Sequence, residues 1–242
     1  MNKLTLMICP HDTAKKPDRW FRFVQYLNNQ LDVKVHLDVS LDFQDFHQHL
    51  EQADIVYANP ADSIRLREQQ GFSAVVRPTN LYDEVVYIAN QDIANPTLES
   101  LQGKTIATVI SMLPSKVALH SLKEKGIAPA QILDKSSWLG VVNSVSKNEA
   151  PFGIVYKDTY KELSANTKAM VNAFAESEEK VIFHGIYISP NAMDHKSQLE
   201  RILLDMNTTP AGKDVLQELN IEGWRKTTSE EISTAKQMMM AA

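Results

Sequence analysis

The sequence contains little cysteine and little glycine. Cys9 is the single cysteine among 242 residues, so no disulfide can form within the chain. The 8 glycines form no Gly-x-Gly-x-x-Gly or P-loop pattern, and neither His-Glu-x-x-His nor Cys-x-x-Cys occurs. These absences exclude the common signatures of nucleotide binding, zinc proteases and thiol redox chemistry, so we expect no cofactor.

Basic clusters and long apolar runs are also missing. The net charge is −5 without a basic run, so we expect no nucleic-acid partner. No apolar run approaches the roughly 20 residues of a membrane span, so we expect no membrane insertion. The apolar run at 4–9 is too short for a signal-peptide core. Localisation stays open: periplasmic if a signal peptide was removed, cytoplasmic if Met1 is the native start.

What the chain does have is a regular alternation of strands and helices in its first third. Helix 18–31 is predicted to bury Trp20, Phe21, Val24, Leu27 and Leu31 on one face, with Asp18 as N-cap. This βαβαβαβ order indicates a parallel-type sheet covered by helices. The pattern predicts strands at 3–9, 33–39, 54–58 and 73–77, separated by helices at 18–31, 42–51 and 61–70.

The rest of the chain continues in the same style, without a tandem repeat or a low-complexity linker. Residues 221–224 are predicted to form a turn. Further strands are predicted at 84–90, 105–110, 131–135, 152–156, 170–175 and 181–188, and further helices at 115–125, 138–146, 158–164, 195–208, 212–219 and 229–240.

The segment between Gly103 and Gly126 carries the clearest hint of a binding site. A β-branched strand is interrupted at Ser111, Pro114 suits a first helical turn, and Gly126 suits a C-cap. A strand that delivers a short loop onto a helix N-terminus exposes unpaired amides and a partial positive charge. This arrangement suits an anion or the polar end of a ligand, although an ordinary strand–helix connection has the same pattern.

Three phrases, in order along the chain, resemble one family. They are Ala53-Asp54-Ile55-Val56-Tyr57-Ala58-Asn59-Pro60-Ala61, the stretch 98–107 ending in Gly-Lys-Thr-Ile-Ala, and Thr208-Thr209-Pro210-Ala211-Gly212-Lys213 with Leu216. With the element order, they make the chain resemble the type 2 periplasmic solute-binding proteins, specifically the phosphate/phosphite/phosphonate-binding components of ABC importers.

The resemblance implies a two-lobed α/β fold in which each lobe is a mixed β-sheet flanked by helices and two hinge strands join the lobes. Lobe 1 would hold residues 1–83 plus 187–242, and lobe 2 residues 84–186. It also implies non-enzymatic binding of a small solute in the interlobe cleft, where loops at strand carboxyl ends meet helix N-termini. An ABC permease is the partner that such a role implies.

The expected ligand loop departs from the family pattern. The family's closely spaced hydroxyls fall on Ser111-Met112-Leu113-Pro114, where only Ser111 keeps one, and its cleft histidine falls on Trp138. The family's carboxylate position falls on Pro151. A phosphonate dianion needs several converging donors. We therefore expect an altered ligand with a flat or apolar portion.

Candidate ligand contacts lie where predicted strands end. Alternatives remain for several of them: Asn59 could only hold the turn before Pro60, Tyr82 and Trp138 could be core residues, and Ser111 or Ser115 could be only an N-cap. Lys116 could be a solvated lysine. The candidates are His11, Asp12, Asn59, Tyr82, Ser111, Met112, Ser115, Lys116, Trp138 and Tyr156.

Catalysis and metal binding have weaker patterns. Cys9-x-His11-Asp12 has the residue types of an activated thiol, but neighbours on an extended strand diverge, so we predict no catalytic residue. His47-x-His49 is predicted to be helical, where residues two apart do not share a face, so we predict no metal site.

Two other functions remain open at this point. Ile232, Ala235, Met239 and Ala242 have the spacing of an a/d seam. The last helix could pack on the first lobe, or it could continue into a signalling output domain and make the chain a cytoplasmic ligand sensor. The second alternative is an enzyme on the same fold, which would need a cleft His or Cys within reach of a base.

Overall fold

We analysed a computed structural model in which residues 3–13, 16–40 and 42–241 are described. The chain divides into two compact units. Unit 1 comprises Met1–Tyr82 and Phe183–Ser233, and unit 2 comprises Asp83–Ile182 and Thr234–Ala242.

The first part of unit 1 alternates strands and helices as predicted. Its elements are β1 (Lys3–Ile8), α1 (Pro10–Thr13), α2 (Asp18–Asn28), β2 (Lys34–Asp38), α3 (Phe43–His49) with a 3-10 turn at Leu50–Gln52, β3 (Ile55–Ala58), α4 (Pro60–Gln70) and β4 (Ser73–Pro78).

Unit 2 follows. Its elements are β5 (Val85–Ala89), a 3-10 turn at Leu98–Leu101, β6 (Thr105–Thr108), α5 (Leu113–Glu124), β7 (Gln131–Asp134), α6 (Trp138–Ser146), β8 (Phe152–Tyr156), α7 (Lys157–Glu162), α8 (Ala165–Lys168) and β9 (Asn172–Glu176).

The chain then returns to unit 1, and α11 carries it across the division between the units. These elements are β10 (Gly185–Ile188), a 3-10 turn at Pro190–His195, α9 (Lys196–Leu204), a 3-10 turn at Met206–Thr208, α10 (Pro210–Glu218), β11 (Trp224–Lys226) and α11 (Ser229–Ala241).

The sheet of unit 1 has six strands in the order β11-β4-β10-β3-β1-β2. Strand β1 pairs in parallel with β2 and β3, whereas β10 is antiparallel to both β3 and β4. The sheet is therefore mixed, as expected. Helices cover it, and the buried face of α2 is formed by Trp20, Phe23, Val24 and Leu27, which follow helical spacing.

The sheet of unit 2 has five strands in the order β7-β6-β8-β5-β9. Strand β6 pairs in parallel with β7 and β8, and β5 is antiparallel to β8 and β9. Separate apolar clusters cover its two faces: one includes Leu122 of α5, and the other includes Val141 and Val145 of α6. The two-sheet mixed α/β architecture confirms the predicted fold class.

Several local predictions were wrong. Phe21 is 52% exposed, because it lies about 100° around the helix from Trp20, and Phe23 fills the buried position instead. Residues 10–13 form a short helix where no element was predicted, and Trp224 starts a strand rather than ending a turn. The predicted strand 181–188 begins at Gly185, and the predicted helix 195–208 is interrupted at Asp205.

The last helix is divided between the two units. Ala235, Met238 and Met239 pack in unit 2 with Val117 and Ile182. Our expectation placed residues 187–242 in one lobe with residues 1–83, and the lobe assignment stays a prediction. Ala242 of the proposed a/d seam lies outside the described residues.

Candidate functional site

Three parallel strands of unit 2 end at the same edge of its sheet. They are β6, β8 and β7, which end at Thr108, Tyr156 and Asp134. Side chains that follow these strands therefore gather at one edge, the usual position of ligand sites in sheets of this type. Ser111, Met112, Trp138 and Tyr156 all belong to this edge.

Trp138 is the first residue of α6. The Ser137 side chain accepts a hydrogen bond from Gly140 N at 3.1 Å and so caps this helix. The indole is partly buried and packs on the cluster that contains Val141. Its ring lies 6.3 Å from the ring of Tyr156 with a 37° interplanar angle. The structure thus brings two predicted contact residues together as a tilted aromatic pair.

The hydroxyl of Tyr156 lies beside two carboxylates. It is 3.1 Å from Asp83 Oδ1 and 3.3 Å from Asp158 Oδ2, and it can donate its proton to one of them at a time. These hydrogen bonds fix the direction of the phenol, so the Tyr156 ring is held in place next to Trp138.

The start of α5 combines apolar side chains with an uncapped helix end. Met112 occupies the N-cap position, and no side chain caps the helix there. Ser111 and Lys116 are exposed, whereas Ser115 is fully buried and its Oγ lies 2.8 Å from Thr108 Oγ1. This hydrogen bond joins the start of α5 to the end of β6, so Ser115 stabilises the connection between them. Nearby in the chain, Ile110 and Leu139 are exposed apolar residues.

The corresponding edge of unit 1 collects residues after β1 and β3. Asp12 follows β1, and Asn59 follows β3. Strand β10 runs antiparallel to β3 with Gly185 opposite Ala58, so the residue before β10 arrives at this same edge. That residue is His184, which was not among the candidates predicted from the sequence.

Asp12 and His184 form the polar centre of this edge. His184 Nδ1 lies 3.0 Å from Asp12 Oδ2. The backbone carbonyl of Asp12 also accepts hydrogen bonds from Arg19 Nη2 at 2.8 Å and Trp20 Nε1 at 3.1 Å. Asp12 is thereby tied to α2, and its carboxylate is presented to His184.

Cys9 is fully buried beside this pair. Burial raises the pKa of its thiol to about 11, although the charge of His184 opposes the shift. The thiol is therefore protonated at neutral pH and inaccessible, which is the reverse of an activated nucleophile. Burial is a physical reason that the sequence did not give, and the absence of a catalytic residue stays a prediction.

The remaining candidates of unit 1 have structural partners. Asn59 caps α4 by accepting from Asp62 N at 3.0 Å, and its amide nitrogen donates to Asp62 Oδ2 at 2.5 Å. The His11 ring contacts the Phe43 ring edge-on at 4.9 Å. The Arg77 guanidinium lies over the Tyr82 ring at 5.1 Å. Tyr82 and Asn59 nevertheless remain partly exposed.

A surface depression also occurs on unit 1, between α2 and α10. Its lining includes Arg19, Arg22, Asp214 and Glu218, and Arg22 pairs with Glu218. Because its charges are of mixed sign and partly paired with each other, we do not assign a ligand to it.

The comparison with protein families identifies the chain. The model of the family described as "ABC transporter, phosphonate, periplasmic substrate-binding protein" matches residues 7–232. The chain belongs to this family, and its role is solute binding. The predicted resemblance is confirmed, the family is one of substrate-binding proteins rather than enzymes, and nothing in the comparisons supports the signalling alternative.

Solved structures confirm the fold. XAC2383 from Xanthomonas citri bound to chloride ion is 15% identical with a TM-score of 0.72, and the alignment covers 99% of this chain and 96% of that one. PhnD1 from Prochlorococcus marinus in complex with methylphosphonate is 13% identical, with a TM-score of 0.74 and coverage of 98% and 96%. The periplasmic aliphatic sulphonate binding protein SsuA from Escherichia coli is 9% identical, with a TM-score of 0.71 and coverage of 99% and 91%.

Two further findings complete the comparison. No curated protein matches the sequence significantly. Among the helices that the structure describes, none has both the length and the apolar character needed to cross a membrane.

Proposed function

We propose that the protein binds a small organic anion that carries a flat or apolar portion, and that the Trp138–Tyr156 pair is its principal contact in unit 2. The observation that carries this proposal is the aromatic pair itself, at the edge where three parallel strands end. A partly exposed indole beside an oriented phenol offers a flat surface on which a ring or an alkyl group can pack.

The anionic group of the solute would bind near the start of α5. The N–H groups of the first helical turn have no side-chain cap, and the exposed Ser111 hydroxyl adds a donor. Pro114 lacks an N–H, and Met112 offers no hydroxyl, so this loop supplies few donors. An organic anion that gains affinity from an apolar group suits it better than a small phosphonate does.

Other predicted contacts stay part of the proposal. His11, Asp12, Asn59 and Tyr82 in unit 1 and Lys116 in unit 2 have exposed or partly exposed side chains. Ser115 acts indirectly, because its buried hydroxyl holds the connection that presents Ser111. Each of these side chains can be replaced singly in the binding assay described next.

The test is calorimetric titration of the protein with phenylphosphonate, methylphosphonate and benzenesulfonate. We expect the aromatic anions to bind more tightly than methylphosphonate. Trp138→Ala should weaken phenylphosphonate binding by about 1–3 kcal/mol, because it removes the stacking surface. Phe21→Ala is the matched control, since it removes an exposed ring from α2 of unit 1. Unchanged affinity in Trp138→Ala, with lowered thermal stability, would place the indole in the core and refute the proposal.

The cellular role follows from the family. We propose that the solute-loaded protein delivers its ligand to an ABC permease. Uptake of a labelled ligand by cells or vesicles that hold the cognate permease should require this protein. Equal uptake in its absence would contradict the delivery role without affecting the binding result.

A further inference from the structure

Cys9, Asp12 and His184 bring three different metal-ligating atoms together in unit 1. One thiol sulfur, one carboxylate oxygen and one imidazole nitrogen all lie within 4.8 Å of one another. Cys9 and Asp12 lie three positions apart where β1 passes into α1, and His184 precedes β10, so two separate segments of the chain supply the ligands. Because His184 is 172 positions from Asp12 in the sequence, the complete cluster is not a by-product of local sequence.

We propose that Cys9, Asp12 and His184 form a binding site for a soft divalent metal ion, with Zn²⁺ as the expected occupant. Thiolate, imidazole and carboxylate are the three donor types that Zn²⁺ takes in proteins, and bonds of about 2.0–2.3 Å in a tetrahedron place the donors roughly 3.3–3.8 Å apart. Asp12 Oδ2 and His184 Nδ1 are already 3.0 Å apart. Small side-chain shifts toward the sulfur complete the arrangement.

The ion would replace one hydrogen bond and one proton. The S–H bond of Cys9 breaks, its proton leaves to solvent, and the sulfur lone pair forms the bond to the metal. The hydrogen that His184 Nδ1 donates to Asp12 moves by way of solvent to Nε2, so that the ring stays neutral and the Nδ1 lone pair binds the ion. The Asp12 carboxylate then binds the same ion instead of accepting from the ring. The charges of one thiolate and one carboxylate then balance the two charges of the ion.

Neighbouring groups already support such a site. The Asn59 side-chain nitrogen lies 3.6 Å from Cys9 Sγ, and an N–H donor to sulfur favours its thiolate form. Asn59 is itself held by Asp62, which accepts from the same nitrogen and donates its backbone N–H to Asn59 Oδ1. The side chains of Asp12 and His184 are 22% and 10% exposed, so an ion can meet these two ligands first, within 4.8 Å of the buried sulfur.

Three protein ligands leave one tetrahedral position for water or another small molecule. The site lies wholly in unit 1, whereas Trp138 lies in unit 2. Asp12 is also a proposed solute contact, but the inference does not rest on the aromatic contact in unit 2. Trp138→Ala should therefore leave metal binding unchanged, and the two ideas can fail separately.

Titration of the metal-free protein with Co²⁺ tests the site directly. We expect one equivalent to bind with the visible bands of tetrahedral Co²⁺ and a near-ultraviolet thiolate-to-cobalt band, and Zn²⁺ should bleach both. Cys9→Ser should abolish the thiolate band and weaken Zn²⁺ binding by more than about 100-fold, because outer-shell changes alone cost 10–100-fold. Asp12→Asn should weaken binding by about 10-fold and keep the band.

His49→Ala is the matched control. It removes another His–Asp pair, in which His49 Nδ1 lies 3.2 Å from Asp45 Oδ1, but this pair is exposed on α3 and is not part of the cluster. Circular dichroism establishes whether each variant is folded. If Cys9→Ser does not fold, Asp12→Asn still tests the site, because Asp12 is only partly buried and its replacement should leave the fold intact. Absence of stoichiometric Co²⁺ binding, or a spectrum without the thiolate band, would overturn the proposal. So would equal Zn²⁺ affinity in wild type and Asp12→Asn.

Discussion

Gly153, the second residue of β8, packs directly against two valines of α6. A Cβ atom at this position would lie 2.9 Å from both Val141 Cγ1 and Val145 Cγ2, and 3.0 Å from Ile88 Cγ1. Because valine is stiff at χ1, these methyl groups cannot easily move aside. Gly153→Ala should therefore lower the free energy of unfolding by about 1–3 kcal/mol, measured by urea denaturation.

Val141→Ala in the Gly153→Ala background is the control for this clash. The smaller side chain opens space for the new methyl group, so the double variant should lose less stability than the two single changes added together. A Gly153→Ala protein within about 0.5 kcal/mol of wild type would show that the helix shifts without cost.

Single residues of the candidate site were partly predictable. Trp138 could be selected because the family's cleft histidine falls on it at the start of a predicted helix, and Tyr156 because it ends a predicted strand. Their pairing depends on the order of β7, β6 and β8 in the sheet. His184 was missed because it lay inside a predicted strand. Its partner Asp12 is 172 positions away in sequence, and only the antiparallel placement of β10 brings the two together.

At the scale of single elements, α6 depends on its first turn. Ser137 accepts from Gly140 N at 3.1 Å and is the N-cap of this nine-residue helix. Ser137→Ala leaves that N–H without its side-chain partner and should cost about 1 kcal/mol of unfolding free energy. The change should also weaken phenylphosphonate binding, since the cap fixes the residue that follows it, Trp138.

Ser136→Ala, one position earlier in the chain, is the matched control and should leave both quantities unchanged. Thermal unfolding and the same calorimetric titration provide the two measurements. If Ser137→Ala and Ser136→Ala behaved alike, the cap would not contribute to the stability of α6 or to the placement of the indole.

Elements were predictable where apolar periodicity was long. Strand β8 and helix α6 match their predicted bounds, because each has a clear run of apolar residues between turn signals. Strand β11 was missed because it has three residues, two of them exposed, and its pairing with β4 alone defines it. Helix α1 was missed because four residues carry no periodic pattern.

For the whole molecule, element order was enough to predict the fold class. Parallel neighbours require crossover connections, and the alternation of strands with helices supplied them in both units. The extent of each unit was not determined by the same information. Which strands are antiparallel, and with which unit residues 234–242 group, depends on packing between segments far apart in sequence.

Stability in acid is also a property of the whole molecule, because both units hold carboxylates whose pKa lies below the usual value. In unit 1, burial acts to raise the pKa of Glu231, but hydrogen bonds from Arg77 and the Thr228 backbone and the nearby arginine charges outweigh it. In unit 2, burial also acts to raise the pKa of Glu179. Hydrogen bonds from the Ser121 hydroxyl and from Lys125, together with the charge of Lys125, outweigh burial and lower this pKa. When folding lowers the pKa of a carboxyl group, its ionised form stabilises the folded state at pH values above the pKa of the unfolded state, which is about 4.3 for Glu. This stabilisation disappears as the pH falls through the pKa of the folded state.

We therefore expect the free energy of unfolding to fall as the pH drops below about 4.5, and Glu231→Gln to remove part of that dependence. The Arg77 side chain is only 3% exposed, and its Nη2 lies 2.6 Å from Glu231 Oε1, so the variant leaves a buried guanidinium without its charged partner. Glu231→Gln should cost about 1–3 kcal/mol at pH 7, a value reduced because the neutral amide can still accept one hydrogen bond.

Urea unfolding at pH 7, 5, 4 and 3 measures both effects. The control is Glu222→Gln, which changes an exposed carboxylate nearby in the chain. A Glu231→Gln variant that loses stability equally at pH 7 and pH 3 would show that the pair with Arg77 does not contribute to the acid sensitivity of the protein.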